Sequence, residues 1–219
     1  MTSVQVAVKD MNGKEVGKLD LDPAVFASES DPSLVHATVR WQRAKRRAGT
    51  HAALSRGQMK HSDSKPHKQK GTGRARAGSR NSPLWVGGAV IHGPQPRSYE
   101  FRLPKRTRRQ AMASVLSDKV RANRLVVLDS LSIESGKTKD MAAVLSKLGV
   151  DHKSATIMLP EAEVNVWRSS RNIAGVKSLP VSGANVYDLL NHHFLVGTKD
   201  AILALQDRVM QKKSGASEE

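Results

Sequence analysis

A short motif at residues 135–138, with the letters SGKT, is the part of the sequence nearest to nucleotide chemistry. It follows a predicted strand and precedes a predicted helix, which is the setting of a loop that wraps nucleotide phosphates. Such a loop also needs a glycine five residues before Gly136, and residue 131 is a leucine. The pattern therefore favours a plain helix start, and a phosphate-binding enzyme that uses Lys137 is kept as the weaker alternative.

A glycine-rich stretch at 71–78, GTGRARAG, indicates a different kind of partner. No strand precedes it, so it is not the fingerprint of a dinucleotide-binding loop. Its glycines allow positive φ and close approach of the backbone, while Lys70, Arg74 and Arg76 supply charge. These features are typical of a segment threaded through a crowded polyanion.

The other residues that could do chemistry do not form a catalytic or metal site. The chain has no cysteine, its eight histidines show no metal-ligand spacing, and no GxSxG nucleophile motif occurs. His192 and His193 precede a predicted strand, which favours a role at an element boundary. His61, His67 and His92 lie in basic or glycine-rich loops, where an imidazole can stack on a base. We therefore expect no cofactor, no metal and no enzymatic activity.

The net charge is concentrated in one third of the chain. The 219 residues carry a net charge of +16. Residues 40–109 hold 19 Lys or Arg against Asp63 and Glu100, a net +17, and the rest of the chain holds 17 bases and 18 acids, a net −1. A block of like charge predicts a polyanion partner, whereas the near-neutral remainder is typical of an ordinary solvated surface.

The middle of this block lacks the residues of a hydrophobic core. Between Gln42 and Leu84 there is no aromatic residue, Val or Ile, and the large apolar residues are Leu54 and Met59. Such a stretch buries too little surface to offset its backbone entropy. We expect 48–84 to be an extended loop that is mobile when free and ordered on a polyanion. As a bent-back arm it would reach roughly 60 Å, at about 3.3 Å per residue.

The sequence carries no sign of membrane insertion or export. No run of 18 apolar residues occurs, and the N-terminus lacks the basic and apolar regions of a secretory signal. We therefore expect a cytoplasmic protein with no membrane partner. The sequence leaves open whether the source is a bacterium or an organelle, and the lack of a transit-like N-terminus favours a bacterium.

Two predicted helices carry basic residues on either side of the arm. The first opens at Asp31, an N-cap, and Pro32, and Arg40, Arg43 and Arg47 recur along it at helical spacing. That stripe is either a solvated face or a track for phosphates, and the unbroken charge beyond the helix favours the track. The second helix, 106–123, has cations at its N-terminal approach, which oppose the helix dipole unless an anion lies nearby.

The remaining elements predict an α/β fold. Val4, Val6 and Val8 have the period of a strand, and Asn12-Gly13 predicts the turn of a hairpin with a weaker strand around 16–21. Further strands are predicted at 125–129, 155–159, 176–181 and 194–196, and further helices at 137–148, 161–168, 185–191 and 198–211. Strands that alternate with helices pair in parallel. We predict a three-layer sandwich with a mostly parallel central sheet, plus a long basic extended loop.

Several stretches, in order along nearly the whole chain, resemble one known family. They are WQRAKRRAGTHA at 41–52, KPHKQKGTGRARAGS at 65–79, SPLWVGGAVIHGPQPRSY at 82–99, LPKRTRRQAMASVLSDK at 103–119, RLVVLDSL at 124–131, SRNI at 170–173 and NVYDLL at 185–190. Together they resemble the universal large-subunit ribosomal protein four family in its bacterial form, and QKGTGRAR is a highly specific signature.

The resemblance implies a structural rRNA-binding protein of the large (50S) ribosomal subunit with a role early in assembly. Its α/β domain would lie on the subunit surface, and its basic loop would thread the 23S-type rRNA to the peptide exit tunnel. The implied partners are that rRNA, neighbouring large-subunit proteins including ribosomal protein twenty-two, and the nascent peptide. Some family members also bind their own mRNA leader, so this chain's own leader is a further open partner.

The resemblance and the charge map together give the candidate residues. The expected rRNA-binding residues are Arg40, Arg43, Lys45, Arg46, Arg47, Lys65, Lys68, Lys70, Arg74, Arg76, Arg80, Arg97, Lys105, Arg106, Arg108 and Arg109. The expected tunnel-lining tip is His67, Gln69, Lys70, Gly71, Thr72, Gly73 and Arg74. His67 stands where the family usually has an aromatic residue, and RGQMKHSDS at 56–64 stands where a glycine-rich lead-in is usual. The resemblance therefore does not fix the exact loop conformation or the macrolide response of this chain.

The predicted domains are a globular α/β domain at 1–47 and 85–213, the extended loop at 48–84 and a flexible tail at 214–219. Besides the phosphate-binding enzyme, one alternative stays open. It is a nonribosomal regulator that binds mRNA leaders or DNA through the same basic arm.

Overall fold

A computed structural model describes residues 4–60, 62–150 and 154–210. The chain divides into two compact units. The first, here the sheet unit, comprises Met1–Gln42 and Arg102–Glu219, and the second, here the basic unit, comprises Arg43–Phe101. The predicted tail at 214–219 and His61 lie outside the described residues.

The sheet unit contains a six-stranded sheet in the order β2-β1-β3-β6-β4-β5. The strands are β1 (Val4–Lys9), β2 (Glu15–Leu21), β3 (Leu125–Leu128), β4 (Ala155–Leu159), β5 (Val176–Pro180) and β6 (Phe194–Thr198). The β1–β2 hairpin is antiparallel and the other pairs are parallel, which confirms the predicted mostly parallel sheet.

The hairpin forms at the predicted turn. The Asp10 carboxylate accepts hydrogen bonds from the backbone N–H groups of Asn12 (2.8 Å) and Lys14 (3.0 Å). Gly13 has φ +80°, and a Cβ there would lie 2.6 Å from the Lys147 carbonyl oxygen. The tight turn therefore needs glycine at this position.

Seven helices are described. They are α1 (Pro23–Phe26), α2 (Pro32–Lys45), α3 (Lys105–Arg121), α4 (Thr138–Lys147), α5 (Val164–Ser170), α6 (Val186–Asn191) and α7 (Lys199–Met210). The Asp31 carboxylate accepts from the N–H groups of Ser33 (3.0 Å) and Leu34 (3.2 Å), which confirms it as the N-cap of α2. Gln211, the predicted last residue of α7, lies outside the described residues.

Two hydrophobic cores show the three layers. Side chains of successive residues in a strand point to opposite faces of the sheet. In β4, Met158 therefore lies in one core, and Ile157 and Leu159 lie in the other. The first core contains side chains of α1, α3, α6 and α7, and the second contains side chains of α4 and α5. The sheet is therefore covered on both faces, as predicted. None of the helices among the described residues has the length and apolar character to cross a membrane.

The predicted ends of most elements differ from the structure by no more than two residues, as in α3 and β6, and two departures are larger. The helix predicted at 161–168 begins only at Val164. The short helix α1 was not predicted: the Asp22 side chain accepts from the Ala24 N–H at 2.8 Å, and the helix buries Val25 and Phe26. Four residues are too few to show a helical period, so its only sequence signal is Asp22-Pro23.

Candidate nucleic-acid interface

The basic unit folds back on itself, and backbone hydrogen bonds join two of its segments, here called the two limbs, at residues 49–54 and 90–97. The N–H of Arg97 donates to the Gly49 carbonyl (3.1 Å), that of Ala53 to Pro94 (2.9 Å), and that of Val90 to Leu54 (3.2 Å). Among the described residues, the regular structure between α2 and α3 is a single 3₁₀ turn at Arg56–Gln58. These backbone hydrogen bonds pair the limbs at separate points and do not form a sheet among the described residues.

Gly49 is required where the limbs meet. Its φ is +66°, a left-handed conformation that side chains avoid. A Cβ on Gly49 would lie 2.0 Å from the Arg97 carbonyl oxygen. The close pairing of the two limbs therefore depends on the absence of a side chain.

A cationic cluster surrounds Tyr99 next to this pairing. The guanidinium carbons of Arg47 and Arg97 lie 3.7 Å and 4.6 Å from the centroid of the Tyr99 ring. His51 Nε2 lies 2.7 Å from the Tyr99 hydroxyl. The hydrogen bond with the Arg97 side chain and the charges of Arg97 and Arg47 lower the pKa of Tyr99 below its usual 10.0, against the opposing effect of burial. The ring holds two cations at fixed positions while both stay exposed.

The predicted tip residues lie together in one loop. His67 Nε2 is 2.9 Å from the Ala75 carbonyl oxygen, which closes a loop of nine residues, 67–75. Lys65 Nζ donates to Gln69 Oε1. Gly71 and Gly73 have φ of +83° and +63°, and no atom of the described residues lies within 4 Å of a Cβ built at either position.

A second turn of the basic unit presents apolar side chains. Leu84 is 93 % exposed and Val86 107 % exposed, with Trp85 between them. Gly88 packs so closely that a Cβ would lie 2.0 Å from the Ser82 carbonyl oxygen.

One of the two acidic residues of the basic unit is paired within the unit: Asn81 Nδ2 donates to the Asp63 carboxylate at 2.9 Å.

The charge of the basic unit is on its surface. Its 13 Lys and Arg stand against Asp63 and Glu100, a net +11. All thirteen basic residues are exposed. Lys45 Nζ lies 3.5 Å from Glu100, with both side chains more than half exposed. The basic unit thus offers a dense set of solvated cations.

The remaining candidate cations lie on two helices of the sheet unit. Arg40 is exposed on α2, and Lys105, Arg106, Arg108 and Arg109 occupy the first turns of α3. The Arg108 guanidinium lies 4.7 Å from the centroid of the Trp41 ring. Pro104 precedes α3, and no side chain of the described residues caps this helix. The predicted clustering of cations at a positive helix end is therefore present.

At the SGKT motif, the side chain of Ser135 makes hydrogen bonds within the start of α4. Ser135 Oγ donates to the Asp140 carboxylate and accepts from the Lys137 N–H at 3.3 Å. Ser135 is thus used in contacts within the helix start, which agrees with the predicted plain helix start. No cluster of metal-ligating side chains is found among the described residues.

The adjacent histidines lie between α6 and β6, as predicted. His192 is the C-cap of α6, and its Nδ1 lies 2.7 Å from the Asp188 carbonyl oxygen. The backbone N–H of His193 donates to Ser154 Oγ at 2.9 Å. These contacts give both residues a structural role.

Sequence comparison decides the family. The model of the "Ribosomal protein L4/L1 family" matches residues 19–208. The chain belongs to the ribosomal protein L4/L1 family. Relatives named "Large ribosomal subunit protein uL4" are 46 % identical in Heliobacterium modesticaldum and 48 % in Desulfitobacterium hafniense, each over 203 residues that cover 93 % of this chain and 98 % of the relative. The relative from Natranaerobius thermophilus is 41 % identical over the same extent.

Membership of the L4/L1 family confirms the resemblance to the universal large-subunit ribosomal protein four family. It makes this protein a structural component of the ribosome in the cytoplasm and not an enzyme. The phosphate-binding enzyme is thereby dismissed. The residue assignments for rRNA and the tunnel remain predictions.

Sequence reasoning missed the Tyr99 cluster and the role of Gly49. Both depend on contacts between residues about 48 positions apart. The only available signal was a lone tyrosine two residues after Arg97 in a stretch otherwise poor in aromatics.

Proposed function

We propose that this protein of the large ribosomal subunit binds 23S-type rRNA through its basic unit, early in subunit assembly. The observation that carries the proposal is the exposure of all thirteen basic side chains of a unit with net charge +11. Phosphates are the natural counter-charges of such a surface, and their contacts position a protein on RNA. Specificity would come from RNA shape and from unpaired bases that stack on exposed rings such as Trp85.

The binding would be strongly salt-dependent, because Lys and Arg release counterions from the RNA. With roughly 8 phosphate contacts, the logarithm of affinity falls with the logarithm of salt concentration at a slope of about −6 to −7. Pairing of the limbs at Gly49 and Arg97 lowers the entropy cost of ordering the unit on RNA.

The segment 48–84 would be the part that penetrates the rRNA, with residues 67–74 at the wall of the peptide exit tunnel beside ribosomal protein twenty-two. The closed tip between His67 and Ala75 supports this proposal, because it holds a narrow, highly basic loop. Lys70 and Arg74 would anchor the tip and set positive charge where the nascent peptide passes.

The first test is crosslinking of the tagged protein to RNA in cells, followed by sequencing of the attached RNA. We expect reads on a few large-subunit rRNA helices. A variant with Lys68, Lys70, Arg74 and Arg76 changed to Gln should lose the reads nearest the tip and should have a shallower salt slope by about 3 units in vitro. The matched control changes four exposed cations of the sheet unit to Gln, namely Lys18, Lys139, Arg168 and Lys199.

Two outcomes would refute the proposal. Reads spread over many mRNAs, with little rRNA, would favour the nonribosomal regulator. Equal loss in the tip variant and the control would mean that net charge, rather than this loop, directs binding. Unchanged nascent-peptide crosslinks in a variant with Lys70 and Arg74 changed to Ala would refute the tunnel assignment alone.

A further inference from the structure

The sheet unit contains a cavity of about 540 Å³ lined by α2, α3, α6, α7 and the 3₁₀ turn Val181–Gly183. Four cationic side chains line it: Lys105, Arg108, Arg109 and Arg208. None of the described residues that line it is acidic. Like charges that converge without a counter-charge repel one another, so this arrangement favours an anionic occupant.

One hydrogen-bond donor of Arg108 is unsatisfied in this cavity. Its Nε is fully buried and has no hydrogen-bond partner among the described residues. Stacking over Trp41 holds its guanidinium in place without supplying an acceptor. A buried donor without an acceptor is costly and rare, and an anion in the cavity would bring acceptor atoms and charge to this guanidinium.

Arg208 contributes a cation from the opposite end of the sequence. Its Nη1 donates to the Val181 carbonyl and, at 3.2 Å, to the Ala184 carbonyl. Both acceptors are neutral, so neither balances its positive charge. Burial lowers the pKa of Arg208, because its charged form is partly removed from water.

We infer that this cavity binds the phosphate group of a nucleotide. Planar guanidinium groups match phosphate oxygens with paired hydrogen bonds, and three of the four cations are arginines. The cavity has the size of a small-molecule site, and Trp41 and Met112 add apolar surface for a base or ribose. The inference deepens the proposed function and rests on it where the phosphate belongs to rRNA; a free nucleotide is the second source of the same chemistry.

The test uses the three tryptophans of the full-length chain, labelled with fluorine and observed by NMR. Trp41 reports on the cavity, Trp85 on the basic unit, and Trp167 serves as the internal reference. The chain is titrated separately with inorganic phosphate, uridine 5′-monophosphate and pentauridylate RNA. We expect a saturable shift of the Trp41 signal, and a loss of affinity of about 10-fold or more for R108Q. K105Q, at an exposed position, should weaken the same response, and K139Q should leave it unchanged.

The arms of the experiment separate the outcomes. A Trp41 shift with all three ligands supports a nucleotide site open to free nucleotides, and a shift with pentauridylate alone supports a backbone phosphate of RNA. A Trp85 shift without any Trp41 shift overturns the cavity inference and leaves the proposed function intact. A Trp41 shift that R108Q and K105Q do not weaken also overturns it. In the pentauridylate titration, a Trp41 shift without any Trp85 response supports the cavity inference and counts against RNA binding by the basic unit.

Discussion

Replacing Gly49 with alanine should separate the two limbs of the basic unit. The left-handed conformation of Gly49 costs a side-chain-bearing residue about 1–2 kcal/mol. The new Cβ would lie 2.0 Å from the Arg97 carbonyl oxygen. Relieving this overlap requires the limbs to move apart by about 1 Å or more, and overpacking of this kind costs about 1–3 kcal/mol. Together the two effects destabilise the pairing by about 2–5 kcal/mol.

The assay is hydrogen exchange at the Arg97 amide, which donates to the Gly49 carbonyl at 3.1 Å. A destabilisation of 2 kcal/mol makes exchange about 30-fold faster, and a larger one brings it to the unprotected rate. Two other glycines of the basic unit supply matched controls. Gly71→Ala meets no neighbouring atom but has φ +83°, so it should cost about 1–2 kcal/mol at the tip without affecting Arg97. Gly57→Ala has neither constraint and should be neutral.

The order of the exchange rates in the three glycine variants tests whether steric overlap at Gly49 controls the pairing of the limbs. If Gly49→Ala exchanges at the Arg97 amide as slowly as Gly57→Ala, the limbs are not held by this close approach. If Gly71→Ala accelerates the same amide as strongly as Gly49→Ala, the basic unit opens as one cooperative unit, and the local overlap at Gly49 does not control this amide.

Two further predictions concern single side chains. In a variant with the other tyrosine replaced by phenylalanine, the absorbance of Tyr99 should report ionisation with a pKa below 10.0. Arg97→Gln should raise the midpoint of this titration, because it removes a hydrogen bond and a charge that favour the phenolate. Since the folded-state pKa is the lower one, this ionisation adds stability as the pH rises from that pKa to 10.0; a midpoint unmoved by Arg97→Gln contradicts the assignment. Ser117→Ala should lower the free energy of unfolding by about 1–3 kcal/mol in urea. The buried Ser117 hydroxyl accepts from the Ser28 N–H at 2.9 Å, and its single proton is shared between the carbonyl oxygens of Val25 (3.0 Å) and Ala113 (2.8 Å). Ser132→Ala, at an exposed position, is its control, and equal effects would argue against the hydrogen-bond account.

Most of the fold could be predicted because its elements are locally encoded. The strand at 155–159 was predicted to the residue, because the short, mostly apolar run ATIML is followed directly by Pro160, which ends the strand. The N-cap at Asp31 was found from a dipeptide. The same dipeptide at Asp22-Pro23 was overlooked because the helix that follows is four residues long. Periodicity needs several turns to become visible, whereas a cap needs only one side chain.

The candidate interface was predicted in composition and not in geometry. Clustering of the basic residues can be read directly along the chain, and so can the glycines of the tip. The contacts that shape them join distant positions, such as Arg47 and Tyr99, or Arg208 and the turn at Val181. No local pattern encodes such pairs, so the Tyr99 cluster and the cavity beside Trp41 emerged only from the fold.

The strand order has a consequence for synthesis. Strand β1 pairs in parallel with β3, and the whole basic unit lies between them in the sequence. At about 5–20 residues per second, the ribosome takes roughly 5–20 s to translate the more than 100 residues from the end of β1 to β3. Throughout that interval the N-terminal hairpin lacks its parallel partner, while a segment of net charge +11 is being made. RNA can therefore contact the nascent basic unit several seconds before the sheet closes, and vectorial translation favours binding ahead of folding.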